Sequence, residues 1–264
     1  MKTISGKVIW ITGASSGIGE ALANELSAGG NTLILSARNE ERLKAVKARC
    51  KDPEKVHLLP MDLDNFDLMS TLVNQAIAAT GTIDILINNA GVSQRSLLAD
   101  TQFEVYKKLI DVNYLGTVAL TKALLPHFIT QRKGHFVTIT SLMGRFGSPF
   151  RSGYCGAKHA LHGFFDVLRM EHVQDNIQVT LICPGFIKTN VAVNALTADG
   201  SPQSANDHAT SKGMEPAVFA KKMMHAVARK KFEVYIGGKE VFGVYVKRFF
   251  PKWLHYLVLR SEVV

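Results

Sequence analysis

Tyr154 and Lys158 are the residues of this sequence whose types and spacing best suit proton transfer. They stand four positions apart at the start of a helical pattern over Gly153–Val173, so their side chains share one face of the predicted helix. A neutral phenol is a poor base, and a neighbouring ammonium group is expected to lower its pKa. Because Tyr-x3-Lys is a common pattern, often only a tyrosine packed on a lysine stem, the pair needs support from other residues.

Further polar residues stand where predicted elements end. Ser141 follows an apolar run, and Asn113 falls in Asp111-Val112-Asn113-Tyr114, which we predict to break a helix. Asn88-Asn89-Ala90-Gly91 and Pro184-Gly185 end two further apolar runs. If these runs are parallel strands, their carboxyl ends meet at the edge of the sheet where open α/β folds bind ligands.

A glycine-rich turn, Thr12-Gly13-Ala14-Ser15-Ser16-Gly17-Ile18-Gly19, follows the first apolar run and opens a helical pattern. Glycines let the backbone approach a ligand, and a helix N-terminus offers free N–H groups to a pyrophosphate. The spacing Gly-x3-Gly-x-Gly differs from the common dinucleotide fingerprint, Gly-x-Gly-x2-Gly. A dinucleotide site is predicted here, and a tight turn without a ligand remains the alternative.

Arg38 stands just after the second apolar run, where NAD-selective sites carry an acidic residue. No acid is present there, and a guanidinium group matches a 2′-phosphate well. The sequence therefore favours NADP(H) over NAD(H), although Arg38 could also be an ordinary solvated residue.

Short apolar runs alternate with longer amphipathic stretches, a pattern typical of βαβ units and an α/β fold with a parallel sheet. The predicted strands are Lys7–Thr12, Thr32–Ala37, Val56–Met61, Ile83–Asn88, His135–Thr140, Gln178–Ile182 and Phe232–Ile236. The predicted helices are Gly17–Ser27, Glu40–Lys47, Phe66–Ala79, Thr101–Asp111, Gly116–Gln131, Gly153–Val173 and Pro216–Ala228. With no internal repeat or linker, residues 1–264 are expected to form a single domain.

The ordered set of motifs, from the glycine-rich turn through Asp62, Asn113, Ser141 and Tyr154-x3-Lys158 to Pro184-Gly185, resembles the short-chain dehydrogenase/reductase family. The resemblance implies a Rossmann-like, doubly wound domain with a seven-stranded parallel sheet. It also implies a catalytic tetrad of Asn113, Ser141, Tyr154 and Lys158.

The resemblance further implies roles for these residues during carbonyl reduction. Tyr154 would donate a proton to the substrate oxygen, and Ser141 would hydrogen-bond that oxygen. Lys158 would lower the Tyr154 pKa and hold the nicotinamide ribose, while Asn113 would position a water that links Lys158 to solvent. The cofactor residues implied are Gly13, Ser15, Ser16, Gly17, Ile18, Gly19, Arg38, Asp62, Leu63, Asn89, Ala90, Gly91, Tyr154, Lys158, Pro184, Gly185, Ile187 and Thr189.

Two regions fall outside the alternation of strands and helices. Thr189–Gly213 is polar with little periodicity and is expected to be a mobile lid over the substrate. Gly243–Val264 is rich in aromatic and basic residues and is expected to form a terminal helix or arm. This arm could contact an anionic membrane surface, but covering the pocket or a subunit interface is favoured.

Several other functions are not supported by the sequence. The net charge of +9 is spread along the chain, so nucleic-acid binding is not expected. No Gly-x-Ser-x-Gly elbow surrounds Ser141. Cys155, His159 and His162 lack a fourth ligand, so no metal site is predicted.

The three cysteines are widely separated, which favours reduced thiols. The lack of a signal-peptide pattern favours a cytoplasmic location, with membrane association left open.

Two functions are therefore compared. The first is an NADP(H)-dependent carbonyl reductase or alcohol dehydrogenase that acts on a small-molecule ketone or secondary alcohol, which could be lipophilic. The second is a non-catalytic dinucleotide-binding protein with a regulatory or scaffold role, which would not need the whole tetrad. The resemblance also implies a homodimer or homotetramer, formed through the helices Gly116–Gln131 and Gly153–Val173.

Overall fold

The computed structural model describes residues 4–205 and 207–260. The centre is a sheet of seven parallel strands in the order β3-β2-β1-β4-β5-β6-β7. The strands are β1 Val8–Thr12, β2 Thr32–Ser36, β3 Val56–Leu58, β4 Ile85–Asn88, β5 Gly134–Ile139, β6 Ile177–Pro184 and β7 Glu233–Ile236. The predicted doubly wound α/β fold is confirmed.

Helices cover both faces of the sheet. They are α1 Gly17–Ser27, α2 Glu40–Arg49, α3 Met69–Thr80, α4 Phe103–Ile110, α5 Gly116–Thr130, α6 Ser152–Glu171, α7 His208–Ser211, α8 Pro216–Ala228, α9 Phe242–Phe249 and α10 Pro251–Leu259. Within the described residues, no helix has the length and apolar character needed to cross a membrane.

Alternate residues of each strand bury their side chains on opposite faces of the sheet. On β1, Ile9 and Ile11 pack in a core with α1, α2 and α8, whereas Trp10 packs in a second core with α3, α5 and α6. Both cores are almost completely buried, which explains why the strands have continuous rather than alternating apolar character.

The order in which the strands are added to the sheet reverses between β1 and β4. These two strands pair with each other in parallel, and β1 also pairs in parallel with β2. At such a switch point the connections leave the two strands in opposite directions, so a crevice opens beyond their carboxyl ends. The glycine-rich turn follows β1 and Asn89 follows β4, so both lie at this crevice.

The segment Asp111–Leu115 differs from its prediction. It was expected to break a helix, but it forms a π-helix that joins α4 directly to α5. The Asn113 side chain explains the wide turn, because Nδ2 donates a hydrogen bond to the Leu109 carbonyl, 3.0 Å away. A side chain that donates to the carbonyl four residues earlier competes with the backbone N–H that would donate to the same carbonyl in an α-helix.

Some element ends also move by a few residues. Strand β3 stops at Leu58 rather than Met61, since Pro60 cannot donate a ladder hydrogen bond. The predicted lid contains the short helix α7, and the predicted arm contains α9 and α10. Asn206 of the lid and residues 261–264 of the arm lie outside the described residues. Cys50, Cys155 and Cys183 are free and buried.

Candidate active site

The glycine-rich turn forms a close-packed cradle after β1. Gly13 has a φ of +63°, and a Cβ there would lie 2.8 Å from the Ala90 Cα, so a larger residue does not fit. Helix α1 begins at Gly17, whose φ is +58°. Ser16 is the N-cap, and its side chain makes no capping hydrogen bond. The first N–H groups of α1 are therefore available to an anion.

Thr12 and Asn89 join the ends of β1 and β4 beneath this turn. Thr12 Oγ1 accepts hydrogen bonds from the backbone N–H groups of Asn89 and Ala90, both 3.0 Å away. Asn89 Nδ2 donates to the carbonyls of Thr12, at 2.8 Å, and Gly13, at 3.1 Å. The side-chain NH₂ group thus fixes the turn, with both of its N–H donors used on backbone carbonyls.

A long groove of about 560 Å³ runs from this turn along the carboxyl edge of the sheet. All the residues named above for the cofactor line it except Gly19, and Asn113 and Ser141 line it too. Gly19 instead packs behind the turn, where a Cβ would lie 2.3 Å from the Gly13 carbonyl oxygen. Its role is therefore close packing of α1 rather than surface lining.

Arg38 and Arg42 stand at one end of the groove, after β2 and in the first turn of α2. Both are exposed, and Asn39 between them caps α2 by accepting a hydrogen bond from the Arg42 N–H. Arg42 was not predicted from the sequence. Its spacing of four residues from Arg38, at a helix start beside the glycine-rich turn, is the signal that could have found it.

Tyr154 lies in the first turn of α6, where a buried glutamine fixes the backbone. Gln94 Oε1 accepts hydrogen bonds from the N–H groups of Gly153, at 2.8 Å, and Tyr154, at 3.3 Å. Gln94 is fully buried and follows β4 by six residues. This helix cap could not be predicted from local patterns, because Gln94 and Tyr154 lie 60 residues apart in the chain.

Burial raises the pKa of Tyr154, and hydrogen bonding to Ser141 lowers it only in part. This direction is opposite to the lowering expected from the sequence. The cause is desolvation, which disfavours the charged phenolate more than its polar neighbours favour it. The phenol is thus held in its protonated form at neutral pH.

Lys158 lies one helical turn after Tyr154, with Nζ 5.8 Å from the centre of the Tyr154 ring. Nζ donates a hydrogen bond to the Ile139 carbonyl at the end of β5, 3.0 Å away. Burial lowers the pKa of Lys158 to about 8. The ammonium group is therefore fixed beneath the phenol and changes charge at a pH slightly above neutral.

Asn113 is fully buried and holds the loop after β4. Nδ2 donates to the carbonyls of Val92 and Leu109, both 3.0 Å away, and Oδ1 accepts from the Val92 N–H, also at 3.0 Å. Gly91 lies between Asn113 and Lys158, since a Cβ there would be 2.5 Å from Asn113 Oδ1 and 3.5 Å from Lys158 Nζ. The Asn113 side chain therefore holds the backbone of the loop after β4, at Gly91 and Val92, next to Lys158.

A second cavity, which we call the apolar chamber, has a volume of about 340 Å³. Its walls include Leu142, Met143, Phe146, Phe186, Phe242, Val246, Leu254 and Val258. The groove and the chamber share six residues, which are Ser141, Tyr154, Pro184, Gly185, Ile187 and Val191. The hydroxyl-bearing side chains of Ser141 and Tyr154 thus lie where the two cavities meet.

The predicted lid is tied to the loop after β4 by a buried ion pair. Asp207 accepts hydrogen bonds from Arg95, including one of 3.0 Å from Nε, and lies 3.5 Å from Arg151 Nη2. All three side chains are almost completely buried. Backbone hydrogen bonds from Arg95 to Leu196 and from Leu196 to Ser93 add to this attachment.

His162 does not join Cys155 and His159 in a cluster. It lies instead beside Cys183 and Glu233, whose ligand atoms are all within 4.8 Å of one another. Arg145 forms a two-pronged ion pair with Glu233, with Nε 2.7 Å from Oε1. The guanidinium group already supplies the positive charge that this carboxylate needs, so the arrangement is explained as a partly buried ion pair.

Comparisons with known proteins agree with this geometry. A family model described as short chain dehydrogenase matches residues 7–199. The chain is 40% identical over 252 residues to dehydrogenase/reductase SDR family member 7B from Xenopus tropicalis, which covers 92% of this chain and 82% of that protein. It is also 40% identical to the human dehydrogenase/reductase SDR family member 7, over 95% of this chain and 76% of that protein.

Solved structures share the fold. A short-chain dehydrogenase/reductase from Burkholderia phymatum in complex with NAD superposes with a TM-score of 0.85 at 22% identity, covering 100% of this chain and 99% of that one. A short-chain dehydrogenase from Streptomyces avermitilis superposes with a TM-score of 0.81 at 25% identity, covering 97% and 100%. With a family model over most of its length and relatives at 40% identity, the chain belongs to the short-chain dehydrogenase/reductase family.

Proposed function

We propose that this oxidoreductase reduces a lipophilic ketone to a secondary alcohol, or catalyses the reverse reaction, with NADP(H) as cofactor. The observation that carries the proposal is the position of Tyr154 and Ser141 at the junction of the groove and the apolar chamber. A carbonyl carbon held in the chamber can there meet a nicotinamide held in the groove, with its oxygen facing two hydroxyl groups.

In the direction of reduction, Tyr154 acts as the general acid. Its raised pKa keeps the proton on the phenol until negative charge develops on the substrate oxygen. The Ser141 hydroxyl donates a second hydrogen bond to that oxygen, in the manner of an oxyanion hole. The backbone N–H of Met143 donates to Ser141 Oγ over 3.1 Å, which fixes the orientation of the side chain.

Lys158 stabilises the phenolate that forms when Tyr154 gives up its proton. Its ammonium group lies 5.8 Å from the centre of the Tyr154 ring on the same helical face, and its low exposure strengthens the interaction. The hydrogen bond to Ile139 keeps the charge in place. Asn113 and Gly91 act indirectly, because they shape the backbone on which Lys158 rests.

The groove fits a nicotinamide dinucleotide, because the Gly13 cradle would be filled by any Cβ and the N-terminus of α1 has free N–H donors. The bound cofactor would supply or accept the hydride. Arg38 and Arg42 favour NADP(H), since both guanidinium groups line this end of the groove, whereas Glu40 and Glu41 in the first turn of α2 do not line it. The NAD in the Burkholderia phymatum structure belongs to that protein.

The substrate class follows from the chamber walls, about half of which are leucine, valine, methionine, isoleucine and phenylalanine side chains. We infer that residues 189–213 act as the substrate lid, because Val191 lines both cavities and Asp207 ties the segment to the site.

A second copy of the chain would pack on α5 and α6. On α6, the apolar side chains of Val167 and Met170 are 47% and 67% exposed.

The proposal is tested by following oxidation of NADPH and NADH with aliphatic and aromatic ketones of increasing size. We expect turnover with NADPH, a higher kcat/KM than with NADH, and a preference for apolar ketones that fill the chamber. Dinucleotide binding without turnover for every ketone would support the non-catalytic alternative instead. Equal kcat/KM with both cofactors would contradict the role given to Arg38.

A further inference from the structure

The helices α9 and α10 form a hairpin from Phe242 to Arg260, which we call the C-terminal hairpin. Only a narrow inner face is buried, and it is centred on Val246 and Leu254, which are 2% and 6% exposed. Both side chains line the apolar chamber. The hairpin therefore closes the chamber with its inner face and leaves most of its surface outside the core.

The outer face of the hairpin is strongly apolar. Of the twenty large apolar side chains that are exposed among the described residues, eight lie in this short segment. They are Phe242, Tyr245, Phe249, Phe250, Trp253, Tyr256, Leu257 and Leu259. Six of the eight are aromatic, either phenylalanine, which is wholly apolar, or tyrosine and tryptophan, which carry a polar tip. So many exposed apolar side chains in one place mark an interaction surface.

Positive charge accompanies this apolar face. The segment Phe242–Arg260 contains Lys247, Arg248, Lys252 and Arg260 and no acidic residue. All four basic side chains are exposed, and the described structure gives none of them an ion pair. The surface is thus complementary to one that is both anionic and able to accept aromatic rings.

We propose that the outer face of the C-terminal hairpin binds an anionic lipid surface. Aromatic rings and basic side chains together are the combination that inserts at the boundary between lipid headgroups and acyl chains. With eight and nine residues, α9 and α10 are too short to span a bilayer, so they lie along its surface. An acidic protein partner would be attracted by the charges but would not need so many exposed rings.

The entrance of the apolar chamber lies on the outer face of the hairpin, which is the face proposed to contact lipid. Phe242 and Leu257 are 60% and 42% exposed, and both also line the chamber. The chamber therefore opens between side chains of the lipid-binding face. A lipophilic ketone could pass from the membrane to Tyr154 without crossing water, a consequence that rests on the proposed function, whereas lipid binding itself does not.

Flotation of the full chain with vesicles tests the proposal. Vesicles of phosphatidylcholine are compared with vesicles that also contain phosphatidylglycerol, and the protein in the top fraction is measured. We expect binding to the anionic vesicles at least about tenfold stronger than to the neutral ones, given the attraction of several basic residues to an anionic surface. Equal failure to float with both vesicles would overturn the proposal.

Two variants and their matched controls locate the binding face. K247E/R248E/K252E should lose binding to anionic vesicles, whereas K221E/K222E/R229E, with the same change of charge at exposed positions in α8 and at its C-cap, should retain it. F249S/Y256S should also lose binding, and L98S/F103S, which removes two similarly exposed apolar side chains elsewhere, should not. Retained binding in both hairpin variants would overturn the proposal.

NADPH binding and circular dichroism report whether each variant is folded, and neither requires catalysis. The outer face of the hairpin could instead be covered by a second copy of the chain. The oligomeric mass of each protein, measured without lipid, distinguishes that case from lipid binding. If the wild type does not float, and F249S/Y256S has a lower mass than the wild type, the hairpin is an interface between copies of the chain and the lipid proposal is wrong.

Discussion

The ammonium group of Lys158 lies 5.8 Å from the centre of the Tyr154 ring, one turn further along the same helix. Burial acts on both groups, raising the pKa of the phenol and lowering that of the lysine. These shifts hold a proton on Tyr154 and a charge on Lys158 that is lost slightly above neutral pH. Ketone reduction needs both the proton and the charge, so its pH dependence is informative.

We expect kcat for ketone reduction to fall as pH rises through about 8, because Lys158 loses its proton there. Since burial lowers this pKa, the ammonium form is present below pH 8 and the neutral form above it. The neutral amine no longer stabilises the developing phenolate. The measurement is kcat against pH, with NADPH binding followed in parallel to exclude unfolding. A rate that increases steadily through this range would contradict the role of Lys158.

Replacing Arg38 with alanine tests cofactor selection. A charge-assisted hydrogen bond is worth about 1.5 to 3 kcal/mol, so the Kd for NADPH should increase roughly tenfold to a hundredfold. The Kd for NADH should change little, because it carries no 2′-phosphate. Arg49→Ala, at the far end of α2, serves as the control. An equal loss for both cofactors would mean that Arg38 supports the fold rather than the phosphate.

Gly91→Ala tests the contact between Asn113 and Lys158. The new Cβ would lie 2.5 Å from Asn113 Oδ1, so the side chain and the loop after β4 must shift. We expect a loss of about 1 to 3 kcal/mol in the free energy of unfolding, as for other overpacked sites, and a lower kcat. Gly147→Ala is the matched control, because a Cβ there meets no atom within 4 Å. Equal stability and kcat in the two variants would refute this account of Gly91.

Asp207→Asn tests how the predicted lid is held. Arg95 and Arg151 would lose the carboxylate that they share in a buried setting. Removing one partner of a buried ion pair costs about 3 to 5 kcal/mol, which lowers Tm by roughly 5 to 10 °C for a chain of this size. The variant should also be cleaved faster by protease between residues 189 and 213. Asp199→Asn, on the exposed part of the same segment, should leave Tm close to that of the wild type.

Much of the fold could be predicted from local patterns. Continuous apolar runs identified all seven strands, because the five central strands are covered on both faces and only the edge strands β3 and β7 are partly exposed. The π-helix at Asp111–Leu115 could not be predicted, since it depends on the Asn113 side chain, whose bonds reach both its own helix and the loop after β4. Local propensity does not contain such long-range contacts.

The same limit applies to the site. The positions of Tyr154 and Lys158 followed from their spacing on one helix, but the direction of the Tyr154 pKa shift did not, because it depends on burial by distant segments. Gln94 and Asp207 were missed for a similar reason. Each acts on residues 50 or more positions away in the chain, so no local motif marks them.

The central claim, that Tyr154 gives the proton during hydride transfer, is tested most directly by Tyr154→Phe. The measurement is single-turnover oxidation of bound NADPH by a ketone that the wild type reduces, together with the Kd for NADPH. We expect an unchanged Kd and a rate about 10² to 10⁴ times slower, the usual contribution of a general acid. A rate within about twofold of the wild type would contradict the claim, because another group would then supply the proton.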